Sequence, residues 1–179
     1  MLKNQHREVE ALFDRFKSLG DGGGAERKTI VAEIGKKLEA HAQIEERFFS
    51  PEGRDADEDM TLEAYEEHGV MRDLPKKIAK TRINDESLVA KIAVLQEIVE
   101  HHVQEEEDEY LPECEALLGQ EQLEQLGQEM EAHFQKLVGG KKDAAEANAE
   151  SEKQKGATKG RPTTARSPLP GWSALLLAR

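Results

Sequence analysis

Apolar residues recur at three- and four-residue steps through most of the first 138 positions, the spacing of a single buried stripe on an α-helix. Five such segments, separated by Gly, Pro or acidic turns, predict five helices. The first covers residues 2–19, with Val9, Phe13 and Phe16 on its stripe, and stops at the glycine-rich run 20–24. The second covers 25–49, with Ile34, Leu38 and Phe48 inward, and Ser50 and Pro51 are expected to end it. The third lies at 60–80, where Pro75 predicts a kink or an early end. The fourth, 86–111, has the clearest stripe, formed by Leu88, Ile92, Leu95, Val99 and Tyr110. The fifth, 120–138, is expected to bury Leu123, Leu126, Met130, Phe134 and Leu137. Beyond Gly139 the periodicity vanishes and the composition predicts a disordered tail, within which Trp172 and Leu175 to Leu177 offer a short docking segment. The expected class is therefore all-α. Residues 1–138 form an up-and-down four-helix bundle with an additional C-terminal helix, and residues 139–179 a low-complexity basic tail.

Composition supports the helical reading and narrows the partners. Aromatic residues make up 4% of the chain and charged residues 35%, which argues against a β-rich fold. The net charge is −12, and basic residues outnumber acidic ones only in the tail. An acidic body repels phosphate backbones, so no nucleic-acid partner is expected. The single cysteine, Cys114, excludes an intramolecular disulfide and a Cys-rich zinc site, and is expected to be a small packing residue. No stretch of about 18 apolar residues exists and residues 1–5 begin no apolar run, so the expectation is a cytoplasmic, soluble chain with no membrane partner.

The histidines carry the candidate chemistry. There are six, and His41 and His102 each precede a glutamate by four residues, Glu45 and Glu106. Residues i and i+4 share a helix face, so each pair offers an imidazole and a carboxylate to one point in space. On a wheel of about 100° per residue that starts at Leu88, His102 and Glu106 fall within about 40° of the apolar stripe, whereas His101 lies roughly 140° away. The same count puts His41 and Glu45 on the stripe of Ile34 and Leu38, and His6 on that of Val9 and Phe13. Counting outward from turns near residues 22, 55 and 84, at about 1.5 Å per residue, brings His6, His41, His68 and His102 to one level within about a helical turn. An unpaired carboxylate at such a position is costly. Four inward imidazoles and two inward carboxylates in one layer form a ligand set, suited on donor type alone to iron, zinc or manganese.

Other polar residues read more plainly. His101 is expected on the rim, and His133 outside the layer beside Phe134. Asp55, Asp57 and Asp59, with Glu66, faintly suggest a calcium loop, but Met60 stands where that loop needs glycine, so the run is read as an acidic helix start. Glu105, Glu107, Asp108 and Glu109 are expected on the solvated side of the fourth helix.

The segments HAQIEERFFSP, EEHGVMRDL and EHHVQEEEDEYLP, together with His6 in the first helix, resemble the hemerythrin family, in particular the bacterial hemerythrin-like HHE cation-binding domains, over residues 1 to about 138. The resemblance implies a non-haem centre of two iron ions (Fe2+ or Fe3+, oxo- or hydroxo-bridged). In it Glu45 and Glu106 bridge, and His6, His41, His68 and His102 are terminal ligands. It also exposes a departure: oxygen-carrying hemerythrins have a further histidine one turn after the third-helix ligand, and Arg72 stands there. Four histidines instead of five leave a position open, which Tyr65, one turn before His68, could reach. The function this implies is binding of O2, NO or peroxide (H2O2) for sensing, detoxification or iron and oxygen binding, rather than catalysis. A di-iron enzyme with peroxidase, catalase-like or oxidase activity is one alternative, and a metal-free helical adaptor another.

Overall fold

The computed structural model describes residues 1–20, 23–82 and 85–157, with side chains to residue 139. The contacts divide the chain into Met1–Lys142, which holds the core and the histidines, and Asp143–Arg179. All regular structure among the described residues is helical: α1 (Leu2–Ser18), α2 (Gly24–Ile44), α3 (Ser50–Gly53), α4 (Glu58–Ala79), α5 (Ser87–Glu105) and α6 (Leu111–Ala157). Helix α1 packs on α2, α2 on α4, and α4 on α5. Asp57 caps α4, its Oδ1 accepting from the Met60 amide at 2.8 Å, so the acidic run at 55–59 serves as a helix start.

Two π-helical turns, Glu45–Phe49 and Glu106–Tyr110, interrupt the α-helical path, and each begins at one of the two candidate bridging glutamates. A π turn holds an extra residue, which shifts the faces that follow it. Phe49 is therefore the buried aromatic after α2, and Phe48, the residue expected from an unbroken α-helix, is only partly buried. The same shift lets the path continue as α3, with Pro51 tolerated in its first turn, so Ser50 and Pro51 do not end the helical run. Pro75 does not end α4 either: the helix continues to Ala79. The proline ring lies against Gly35 of α2, where an added Cβ would sit 2.9 Å from it, so close packing compensates for its missing amide donor.

Helix α6 bends at Gly119, whose φ of 76° and ψ of 164° are accessible in practice only to glycine. Beyond this break Leu126, Met130 and Phe134 are buried, while Leu123 and Leu137 are partly so. The backbone stays helical to Ala157, past the expected end at 138, through a run of Ala, Glu, Lys and Gln that favours helix without any apolar stripe. The segment with Trp172 and Leu175 to Leu177, like the turn centres at residues 22 and 84, lies outside the described residues.

The core consists of two apolar clusters. One joins Val9, Phe13, Ile34, Leu38, Met71 and Leu95 with their neighbours. The other joins Leu2, Ile44, Phe49, Tyr110, Met130 and Phe134. Three helical paths pass from one cluster to the other near a histidine: α1 at His6, between Leu2 and Val9, the α2 path beside His41, between Leu38 and Ala40, and the α5 path just past His102, between Val103 and Tyr110. The polar layer thus sits between two apolar ones that hold it in place.

Leu95 is completely buried, and Leu95→Ala is expected to cost about 2–5 kcal/mol in urea unfolding by leaving a cavity. Val89→Ala, on the exposed face of the same helix, should stay within about 0.5 kcal/mol of the parent.

Candidate metal centre

The six expected residues come together, and all are buried. His6, His41, Glu45 and Glu106 form one group of donor atoms within 4.8 Å of one another, and Glu45, His68 and His102 form a second. Glu45 belongs to both: its Oε1 lies 2.7 Å from His41 Nε2, and its Oε2 3.1 Å from His68 Nε2 and 3.9 Å from His102 Nε2. Glu106 Oε2 lies 3.0 Å from His6 Nε2 and 3.9 Å from His102 Nε2.

These are close approaches without hydrogen bonds to match. Glu45 Oε1, both Glu106 oxygens, His68 Nε2 and His102 Nε2 are buried and have no hydrogen-bond partner of acceptable geometry. Buried polar atoms are ordinarily satisfied, so a group of unsatisfied atoms facing one another needs a reason. Ligands about 2.1 Å from a shared cation and at right angles about it are about 3 Å apart, close to the 2.7–3.1 Å between Glu45 and His41, Glu45 and His68, and Glu106 and His6. The donor set fits a metal.

The outer ring nitrogens are engaged in a regular way. Gln5 on α1 accepts from His41 Nδ1 at 2.9 Å, and Glu46 accepts from His68 Nδ1 at 3.3 Å. Glu67 on α4 accepts from His102 Nδ1 at 2.8 Å, and Glu107 accepts from His6 Nδ1 at 2.7 Å. Each acceptor is the chain neighbour of one buried donor and orients the imidazole of the next helical path, closing a ring around the layer. An Nδ1 proton held by an oxygen fixes the tautomer and leaves Nε2 as the free donor atom. Sequence reasoning missed these four residues. Glu107, expected on the solvated face, is instead largely buried between His6 and Arg7. The available signal was adjacency, since each sits directly beside a candidate ligand.

Charge follows the same geometry. Burial alone would raise the Glu45 pKa, but the adjacent His41 and His68 imidazoles outweigh it and hold the carboxyl well below its ordinary value. Burial alone would lower the His102 pKa, yet the bond to Glu67 and the charges of Glu45 and Glu106 lift it to about 9. His6 moves upward in the same way, burial being outweighed by Glu106 and Glu107.

The remaining candidates lie elsewhere. His101 is exposed beside Glu105, and His133 packs edge-on against Phe48 with ring centroids 5.4 Å apart. Arg72 pairs with Glu46 at 2.8 Å and so braces the acceptor of His68. A narrow cleft reaching Glu45 and Glu106 is lined by Met60, Ala64, Glu67 and Glu105, and Tyr65, which is only partly buried, is not among its walls. Cys114 is fully buried beside the Tyr110 hydroxyl, and an added Cβ at Gly53 would meet both at 2.6–2.7 Å. That contact makes Cys114 a packing residue.

The sequence profile of the hemerythrin HHE cation binding domain matches residues 1–114, and the chain belongs to this family. The match takes in every helix that supplies a donor and stops early in α6. The domain implies a bound metal cation, usually iron. The chain matches no curated protein and no solved structure. Among the described residues no helix is long and apolar enough to cross a membrane.

The raised His102 pKa, with that of His6, gives the metal-free chain a pH dependence. The folded state binds this proton more tightly than the unfolded state, whose value is about 6.5. The resulting stabilisation is complete below about pH 6.5 and is lost as the pH rises through about 9. Urea unfolding of chelator-treated protein at pH 6 and pH 9.5 should show it less stable at the higher pH, and His102→Gln should reduce the difference.

Proposed function

We propose that this chain is a non-haem di-iron protein that binds a small ligand such as O2, NO or peroxide. In this reading α1, α2, α4 and α5 act as an up-and-down bundle to which α6 is added. His6 and His41 would hold one iron and His68 and His102 the other, with Glu45 and Glu106 supplying carboxylate donors to the centre. The observation that carries the reading is the set of buried, unsatisfied oxygen and nitrogen atoms turned toward one another in a single layer. A metal-free adaptor leaves these atoms without hydrogen bonds, and each buried polar atom left unsatisfied costs about 1–3 kcal/mol.

Iron bound there supplies Lewis acidity and a change of oxidation state. The protein's own share is positioning and exclusion of water. Gln5, Glu46, Glu67 and Glu107 fix the four rings through Nδ1, so that their Nε2 atoms face the Glu45 and Glu106 carboxylates. The apolar clusters on both sides keep bulk water away. Arg72, engaged with Glu46, supplies no donor to the layer, and four imidazoles leave room for an exogenous ligand. That room favours sensing, detoxification or ligand binding over a closed structural site.

Protein purified in air is expected to show ferric charge-transfer absorption in the near ultraviolet that changes on adding azide or, after reduction, NO. Glu106→Ala should abolish it, and Glu67→Ala should weaken metal affinity by about 10–100-fold by freeing His102 Nδ1. A colourless parent protein that responds to none of these ligands would contradict the reading.

A further inference from the structure

The two groups of buried donors are unequal. His6, His41, Glu45 and Glu106 make a group of four, whereas Glu45, His68 and His102 make a group of three. Arg72 stands one turn after His68 and is held by Glu46, so α4 adds no fourth donor to the smaller group at that position. A cation held by three protein donors keeps a coordination position for a molecule from outside.

The cleft described above reaches the layer on the side of the smaller group. Its inner end is formed by Glu45, Glu106 and His102, all buried, and of the four imidazoles in the layer it is His102 that lines it. Its outer end is formed by Met60, Ala64, Glu67 and Glu105, which are only partly buried. Met60, Ala64 and His68 follow one another at single turns along α4, so this face of the helix leads from the surface toward the smaller group. The cleft holds about 20 Å3, room for one molecule close to water in size, and the short side chain of Ala64 helps to leave that room.

Charge along the cleft has one sign. Glu45, Glu67, Glu105 and Glu106 are among its walls, and no lysine or arginine is. Cations in the layer offset Glu45 and Glu106, and Glu67 is engaged with His102 Nδ1. Glu105, 34% exposed, keeps a negative charge at the mouth. A negative potential in a narrow, low-dielectric passage slows the entry of anions and leaves neutral molecules unaffected.

We propose that this cleft is the passage by which an external ligand reaches the cation of the His68 and His102 group, and that it admits small neutral molecules in preference to anions. Met60 and Ala64 set the size limit, and Glu105 the preference for neutral ligands. The inference rests on the metal-centre reading above and narrows its ligands to neutral molecules of about two non-hydrogen atoms, the class of NO, O2 and hydrogen peroxide.

The test uses the full-length, iron-loaded protein and follows ligand binding by stopped-flow absorbance at low salt, with NO for the reduced protein under argon and azide for the oxidised protein. Ala64→Leu should slow NO binding by about tenfold or more and Met60→Ala should speed it, with iron content and melting temperature unchanged. Glu105→Gln should speed azide binding by about threefold or more and leave NO binding as it was. Ala93→Leu, which adds the same bulk on the exposed face of α5, should match the parent. Parent-like NO rates in both Ala64→Leu and Met60→Ala, at full iron content, would overturn the passage. If Ala64→Leu loses iron or melts early, the Met60→Ala rate alone decides. An azide rate that Glu105→Gln leaves unchanged, or an equal gain for azide and NO, would overturn the selection by charge. A parent chain that holds no iron would overturn the proposed function and this inference together.

Discussion

Glu45 and Glu106 place two carboxylates in the middle of a helical core, and the rest of the structure is organised around carrying their charge. Four imidazoles surround them, four further side-chain oxygens hold those imidazoles, and an apolar cluster closes each side. Removing one partner from such a buried pair costs about 3–5 kcal/mol, so the layer persists only as a complete set. Protons on His6 and His102 can meet the requirement in the absence of metal, and cations meet it better because they also satisfy the orphaned lone pairs. Folding and metal binding are then linked through the same atoms.

The ring of acceptors sets the orientation of each imidazole in the layer. Gln5, Glu46, Glu67 and Glu107 each tie the imidazole of one helical path to the next. The π turns contribute to the same end. By starting at Glu45 and Glu106 they change the register immediately after each carboxylate, bringing Glu46 and Glu107 onto histidines of neighbouring paths and Phe49 into the core. Local irregularity is concentrated where the chemistry is.

The helical stripes and the shared layer of the six candidate residues were legible because both depend on spacing. Residues at i and i+4 share a face, and helices of similar length return to one level. His101 could be separated from His102 by angle alone, and the structure keeps it exposed. The acceptors were harder to see: on a wheel, Glu107 is one more acid in a run of acids, and only its contact with His6 distinguishes it. The π turns leave no compositional trace, so Phe48 was expected where Phe49 lies. Pro51 and Pro75 are helix breakers by local rule, but the extra residue of a π turn accommodates one and Gly35 the other. Helix α6 past residue 138 carries no stripe, and its helix-forming composition was read as tail.

The central claim is that two cations balance the two buried carboxylates, and the amount of bound metal tests it most directly. Elemental analysis of the full-length protein purified in air, set against protein concentration from amino-acid analysis, should give about two iron atoms per chain. A chain that carries no metal, or a single zinc, while remaining folded with all six donors intact would contradict the account.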